Sequence, residues 1–161
     1  MKEILVFGNS VKIKEIPSNF EKVQMKGNIL SVYGNKTLAN SLIEQFLSDL
    51  LLFELEKILS KTIKQDEIEL FGNLDFKIVK KIDGRSRRVA KLKGNKIIVK
   101  LSAVSLPKSV LKYILLHEIV HTLSKKHGVK FTKLMKAIDS DYQKNERILK
   151  EFEDILINWG R

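Results

Sequence analysis

The histidines of this chain all lie within residues 117–127, in the run HEIVHTLSKKH. Two histidines four residues apart lie on one face of a helix, with Cβ atoms roughly 6 Å apart. Both imidazoles of His117 and His121 could therefore reach one Zn²⁺ ion, at about 2.0–2.1 Å. Glu118 lies roughly 100° farther round such a helix, so it need not be a ligand and can serve as general base towards a metal-activated water. With His127 as third ligand, a fourth position is left for water, as in catalytic zinc sites.

The identity of the third ligand is open at this point. We expect His127, because imidazole is a good zinc ligand and a chain reversal beside Gly128 would bring it back towards the metal. The alternative is a carboxylate from the last predicted helix, with Glu146 as the first candidate and Glu151 and Glu153 behind it. Without a metal, His127 would cap a helix or lie at the surface.

The residues around the motif predict a buried helix. The segment VLKYILLHEIVHTL is apolar on nearly every side, which is typical of helices in a protein interior. An ionised glutamate and two imidazoles are costly there unless something pairs with them. A metal ion would supply that partner; the alternative is a pair of core histidines bonded to backbone groups, with Glu118 at the edge.

The whole-chain properties exclude several classes of protein. A chain of 161 residues fits one domain, and we expect a single one over residues 1–161. The absence of cysteine excludes a disulfide framework and any cysteine-based zinc site. No apolar run is long enough to span a membrane, and the N-terminal residues do not resemble a signal peptide. We therefore expect a cytoplasmic protein without membrane partners.

The formal net charge of +11 would attract phosphate groups or acidic surfaces. One interpretation is weak nucleic-acid binding through a basic surface; the other, which we favour, is a solvated lysine-rich exterior. The densest basic stretch comprises Arg85, Arg87, Arg88, Lys91, Lys93, Lys96 and Lys100.

Apolar periodicity and turn residues predict an α+β fold. We expect N-terminal antiparallel hairpins over residues 1–35 that form one small antiparallel sheet. A catalytic core over about 37–140 and a C-terminal helix over about 141–159 should follow. The predicted strands are Lys2–Phe7, Val11–Ile16 (after a Gly8-Asn9-Ser10 turn), Val23–Lys26, Ile29–Tyr33, Leu74–Ile82, Val89–Leu92 and Lys96–Leu101. The predicted helices are Thr37–Lys61, the motif helix from about Pro107 to Gly128, Val129–Ile138 and Asp141–Trp159.

The predicted hairpin just before the motif helix has a position that could form the rim of a cleft. An exposed strand edge there could bind an extended peptide by strand addition. Lys96–Leu101, or its partner Val89–Leu92, is the candidate strand. The alternative is an ordinary covered strand.

The segment from Gly84 to Met135 resembles the YgjP-like metal-dependent hydrolases, relatives of the SprT and WLM metallopeptidases among the zincins. The resemblance rests on the hairpin, the proline-initiated apolar helix, HEIVH and the H-G-x-x-F run that begins at His127. It implies a zincin-like metallopeptidase fold, one Zn²⁺ per chain held by His117, His121 and His127, and Glu118 as the catalytic glutamate.

Two features depart from related patterns. Residues 84–88 read Gly-Arg-Ser-Arg-Arg, where YgjP-like proteins usually carry a stretch with Trp and Cys, so the contacts to substrate are not carried over. Ser124 stands where metzincins have glycine, and Met135 lies in a helical pattern, so the metzincin assignment is rejected.

The sequence thus predicts a zinc metallopeptidase that acts on peptide or protein substrates, with Glu118 as general base and acid. The alternatives are a metal-dependent nucleotide or phosphoester hydrolase and a DNA-associated, SprT-like protease. Candidate donors to a reaction oxyanion are Tyr142, Arg147 and the cluster Arg85–Arg88. Candidate partners for the ligand imidazoles are Asp139, Asp141 and Glu146.

Overall fold

The computed structural model describes residues 2–65, 74–82, 88–123 and 129–159. Its strands are β1 (Lys2–Val6), β2 (Asn9–Pro17), β3 (Lys22–Lys26), β4 (Ile29–Gly34), β5 (Asp75–Val79), β6 (Ala90–Lys93) and β7 (Lys96–Lys100). Its helices are α1 (Ala39–Gln65), α2 (Lys108–Leu123), α3 (Val129–Ile138), α4 (Tyr142–Glu151) and α5 (Glu153–Ile157), with 3₁₀ helices at Lys36–Leu38 and Leu101–Ser105. The predicted α+β class is confirmed.

The first four strands form one sheet in the order β1-β2-β4-β3. The two predicted hairpins, β1-β2 and β3-β4, are antiparallel as expected. The two hairpins meet at β2 and β4, and these two strands pair in parallel. The expectation of a wholly antiparallel sheet was therefore wrong: β3 lies at the outer edge and β4 returns between it and β2.

The turn between β1 and β2 lies at Phe7 and Gly8, so it begins one residue earlier than the predicted Gly8-Asn9-Ser10 turn and is one residue shorter. Both residues have positive φ, of 50° and 82°, as the two central positions of a type I′ turn require. Phe7 N–H donates to the carbonyl of Val104 at 2.7 Å, and Gly8 N–H donates to the carbonyl of Ser105 at 2.9 Å. The turn is thereby fixed to the segment that leads into α2.

We expect Gly8→Ala to destabilise the protein more than Gly27→Ala. Both glycines have positive φ, which costs an L-residue roughly 1–2 kcal/mol. A Cβ on Gly8 would also lie 3.2 Å from Pro107 Cγ, whereas a Cβ on Gly27 would meet nothing within 4 Å. Urea midpoints of the two variants measure the difference; equal midpoints would show that the contact with Pro107 has no energetic weight.

Helix α1 confirms the predicted long helix and packs on the first sheet. Its buried face includes Leu47, Leu51 and Leu55, which are 2 % exposed or less and recur at four-residue spacing, as on one helix face. These leucines belong to a single apolar core that also contains Leu30 from the first sheet and Ile97 from the second. The two sheets and α1 are thus packed around shared apolar side chains.

The remaining strands form a second sheet in the order β5-β7-β6, with β5 parallel and β6 antiparallel to β7. Because β7 is central, the candidate strand Lys96–Leu101 cannot offer an open edge, and that part of the prediction was wrong. The other candidate, Val89–Leu92, corresponds to β6, which is an edge strand within the part of the chain that the structure describes. The predicted turn at Asp83-Gly84 lies outside the described residues.

Helix α2, which carries the motif, begins directly after Pro107 as predicted. Six of its apolar residues are 1 % exposed or less, which confirms the expectation of a buried helix: Val110, Leu111, Leu115, Leu116, Ile119 and Val120. Its first residue is held from two sides, since Lys108 Nζ lies 3.6 Å from Glu54 Oε2 of α1 and 5.3 Å from the centroid of the Phe7 ring.

The predicted C-terminal helix over 141–159 is two helices, α4 and α5, separated at Phe152. The amide of Phe152 donates to the carbonyls of both Ile148 and Leu149, at 3.2 and 3.1 Å. Such sharing tightens the last turn of a helix, so the helical course changes there. The break allows Leu156 of α5 to pack into the core, where it is 8 % exposed. Among the described residues, no helix is long and apolar enough to cross a membrane.

Candidate active site

A cavity of about 760 Å³ opens between β6, α2, α4 and α5. Its walls combine apolar residues of β6 and α2 with several ionisable side chains. The ionisable residues and Tyr113 that line it are Arg88, Tyr113, His117, Glu118, His121, Glu146, Lys150 and Glu153. The sequence motif, an edge strand and the C-terminal helices thus meet in one place.

The imidazoles of His117 and His121 project from the same face of α2, as the four-residue spacing predicts. Their ring centroids lie 4.7 Å apart, and the rings are nearly perpendicular, at 80°. Both side chains are partly buried and line the cavity. Two imidazoles whose rings lie this close, on the wall of one cavity, could both supply nitrogen ligands to a transition metal.

Glu118 also lines the cavity, with 12 % of its side chain exposed. Its Oε1 lies 3.7 Å from Nδ1 of His117. The carboxylate is therefore close to the imidazole pair, yet Glu118 lies roughly 100° round the helix from His117, off the face that the two histidines share. This placement suits a group that acts beside a metal ion rather than one that must bind it.

Among the residues that the structure describes, no group of three His, Asp or Glu side chains is arranged to hold a metal. His127, the expected third ligand, lies outside the described residues. Glu146 and Glu153 line the cavity, whereas Glu151 is exposed and lies outside its wall. The choice between His127 and Glu146 therefore stays open.

Residues 1–152 match the family model described as YgjP-like, metallopeptidase domain. The chain belongs to this family. The resemblance inferred from the motif is thus confirmed, and the protein is a metallopeptidase at the level of the family, for which a catalytic metal is expected. The order of hairpins, long helix, small sheet and motif helix is consistent with the zincin-like fold that the resemblance implied.

Among solved structures, this YgjP-like chain is similar to the metallopeptidase zymogen jannalysin of Methanocaldococcus jannaschii. The identity is 23% and the TM-score is 0.46, with 63% of this chain and 96% of that chain covered. No curated protein matches the sequence significantly.

Tyr113 is a site residue that sequence reasoning missed, because it was counted only among the apolar residues of the motif helix. It lies one turn before His117, and the two ring centroids are 5.8 Å apart. Burial, together with the charge of Glu146, raises the pKa of Tyr113 to about 12. The signal was its position four residues before His117, which puts it on the same helix face. In this YgjP-like protein the phenol is therefore a neutral hydrogen-bond donor in the cavity wall at pH 7.

We expect Tyr113→Phe to flatten the loss of stability at alkaline pH. The folded-state pKa of Tyr113 is raised from the usual 10.0 to about 12. Below pH 10 the phenol of Tyr113 keeps its proton in both the folded and the unfolded protein, so its full contribution to stability is present. Between pH 10 and 12 the unfolded protein loses this proton first, so the free energy of unfolding declines. Urea midpoints at about pH 9 and about pH 11 should fall further in the wild type than in the variant; parallel falls would contradict this.

The structure shows which of the other predicted residues, the candidate imidazole partners and oxyanion donors, lie near the cavity. Asp139 accepts hydrogen bonds from the amide of Asp141 at 3.1 Å and from Nδ2 of Asn145 at 3.2 Å, so it supports the start of α4. Neither Tyr142 nor Arg147 lines the cavity, whereas Arg88 does. Arg88 Nε also donates to the carbonyl of Ala90 at 3.3 Å. Arg88 is thus the described oxyanion candidate that reaches the site.

The basic stretch around Arg88 does not form one solvated surface. Arg85 and Arg87 lie outside the described residues, Arg88 faces the cavity, and Lys100 is only 7 % exposed. Burial lowers the pKa of Lys100. For Lys100, the expectation of a solvated lysine was therefore wrong, because the residue ends β7 where the chain enters the buried 3₁₀ helix Leu101–Ser105.

Proposed function

We propose that this protein is a zinc-dependent peptidase in which Glu118 moves the protons of the reaction. The observation that carries the proposal is the convergence of His117, Glu118 and His121 on one cavity beside an edge strand. A metallopeptidase needs these parts together, namely a metal site, a proton acceptor and a place to hold an extended chain.

His117 and His121 would hold the metal, with His127 or Glu146 as the third ligand. Two imidazoles with a third nitrogen or carboxylate ligand favour zinc among the common divalent ions. When bound, zinc supplies Lewis-acid polarisation of the scissile carbonyl and lowers the pKa of water at the site. The contact between the rings of Tyr113 and His117 restricts the orientation of the His117 imidazole, which supports a preformed site.

Glu118 would accept a proton from the attacking water and deliver it to the leaving amine. Its position supports both steps, because the carboxylate lies in the cavity wall next to the imidazole pair. Limited exposure to solvent, at 12 % of the side chain, keeps the proton within the site between the two steps. Arg88 would donate to the carbonyl oxygen as negative charge develops there.

The substrate would lie extended along β6. The amide of Lys100 donates to the carbonyl of Val89, so Val89 belongs to a hydrogen-bonded pair, and the alternation of antiparallel ladders makes Lys91 the next such residue. The backbone groups of Ala90 and Leu92 then point away from β7. An extended peptide can pair with the N–H of Ala90 and with both backbone groups of Leu92. The carbonyl of Ala90 already accepts from Arg88 Nε.

Hydrolysis of casein by the zinc-loaded protein, measured beside a panel of nucleoside triphosphates, tests this function. We expect new peptide termini to appear from casein and no phosphate to be released from the nucleotides. Removal of metal with a chelator should abolish the cleavage, and added zinc should restore it. Phosphate release without casein cleavage would replace the peptidase by the nucleotide or phosphoester hydrolase.

A further inference from the structure

The N-terminal sheet has one face that the peptidase site does not use. Residues alternate between the two faces of a strand, and Val11, Ile13, Leu30 and Val32 point inward to the core, each 6 % exposed or less. Their neighbours therefore point away from α1. We call this solvent-facing side of β2, β4 and β3 the outer face. None of its residues lines the cavity.

Four lysines are arranged across the outer face. Lys12 on β2 and Lys26 on β3 both pair with Ile29 of β4, from opposite sides. Lys14 lies two residues farther along β2, opposite Ser31, and Lys22 lies opposite Tyr33. Neighbouring strands lie about 4.7–4.9 Å apart, so the backbones of Lys12 and Lys26 are separated by roughly 10 Å across β4. All four lysines therefore lie on one face of three adjacent strands.

These lysines are exposed and, within the described part of the chain, outnumber the carboxylates that the strand pairing places opposite them. All four have exposed side chains, and none takes part in an ion pair between described residues. On the edge strand β1, Glu3 lies opposite Lys12 of β2. Glu3 is the one carboxylate of β1 that the strand pairing places beside these lysines. The net charge of +11 on the whole chain reinforces the positive potential of this surface.

An exposed aromatic pair completes the outer face. The ring of Phe20 stacks on that of Tyr33, with centroids 5.5 Å apart and an interplanar angle of 23°. More than half of Phe20 remains accessible, at 55%, although burial of so large an apolar side chain would stabilise the protein. Tyr33 lies next to Lys22 on the neighbouring strand, so the ring pair and the lysines share one surface.

We propose that the outer face binds single-stranded nucleic acid. Lysines can contact the phosphates, and a flat aromatic ring can stack with an unpaired base, which is the combination that single-strand binding surfaces use. A duplex would engage the lysines but could not stack a base on Phe20 without unpairing it. The inference is independent of the proposed peptidase function, because it uses none of the cavity residues.

Fluorescence anisotropy of labelled oligothymidylate and oligouridylate with the full-length protein tests the proposal. We expect binding that weakens steeply between about 50 and about 200 mM salt. The variant with Lys12, Lys14, Lys22 and Lys26 changed to Gln should bind about tenfold more weakly or worse, and its salt slope should be smaller by about 3. The matched control changes four exposed lysines of α1 and α3 to Gln: Lys57, Lys61, Lys133 and Lys136. It alters the net charge by the same amount, and salt screens that long-range effect, so the control should bind within about twofold of the wild type.

A second pair of variants isolates stacking. Phe20→Ala should weaken binding at least about fivefold, whereas Phe53→Ala, at a residue 66% exposed on α1, should leave it unchanged. Circular dichroism melting confirms that each variant is folded. The proposal would be overturned if the lysine variant and its control lost the same amount of binding, or if Phe20→Ala and Phe53→Ala had equal effects. It would also be overturned if the protein bound anionic phosphatidylserine vesicles but no oligonucleotide. Binding is measured without turnover, so it should persist in Glu118→Gln, and failure of the peptidase assay leaves this result intact.

Discussion

Glu118→Gln is expected to lower the kcat/KM of casein hydrolysis by about 10²–10⁴-fold, the usual contribution of a general base or acid. Glutamine has almost the same shape as glutamate but cannot accept the proton of the attacking water. Because Glu118 lies beside the imidazole pair rather than between the two rings, the metal should stay bound. Steady-state kinetics and metal analysis of the same preparation measure the two properties together.

Glu151→Gln is the matched control for this result. Glu151 is exposed on α4 and does not line the cavity, so activity should be unchanged although the net charge changes by the same amount. Full activity of Glu118→Gln with metal retained would refute the assigned role. Loss of metal together with activity would instead make Glu118 a ligand.

The second large effect concerns the metal itself. His117→Ala and His121→Ala should each reduce zinc content from about one ion per chain to near zero, because two remaining ligands bind zinc weakly. Activity should fall with the metal. Elemental analysis of purified protein after dialysis against zinc measures the content, and titration with a competing chelator measures the affinity.

His127→Ala and Glu146→Gln identify the third ligand when they are compared directly. If His127 is the ligand, as we propose, its variant loses the zinc and Glu146→Gln keeps it. The opposite pattern would assign the position to Glu146, which lines the same cavity. A wild-type protein that takes up no metal even with added zinc would refute the enzyme proposal, whatever the variants do.

The local part of the site could be predicted because it depends on helix geometry alone. The spacing of His117 and His121 dictates that both rings share a face of α2, and the apolar residues around them dictate that the helix is buried. Tyr113 obeys the same spacing, so its place beside His117 was within reach. The raised pKa of Tyr113 could not be predicted, because it depends on burial in the folded protein and on the charge of Glu146 from α4.

The strand pairings could not be predicted, because they are set by contacts between distant segments. The hairpins β1-β2 and β3-β4 follow from the glycines in their turns, yet nothing local specifies that β2 and β4 run parallel. In the same way, β6 and β7 have similar patterns of apolar and polar residues, so the sequence does not tell which of them is central. The pairing of β5 with β7 makes β7 the central strand and β6 the edge strand. The break at Phe152 likewise falls inside an apolar pattern that continues unchanged to Trp159.

The hydrogen bonds of Phe7 and Gly8 to Val104 and Ser105 join the turn between β1 and β2 to the segment before α2, the helix that carries His117 and His121. A bonded backbone amide exchanges with solvent only when the bond opens, and here that opening separates β1 and β2 from the segment before α2. A ligand that stabilises the native arrangement of α2 raises the free energy of every opening that disturbs it. The exchange rates of these two amides therefore report the occupancy of a site that neither residue touches.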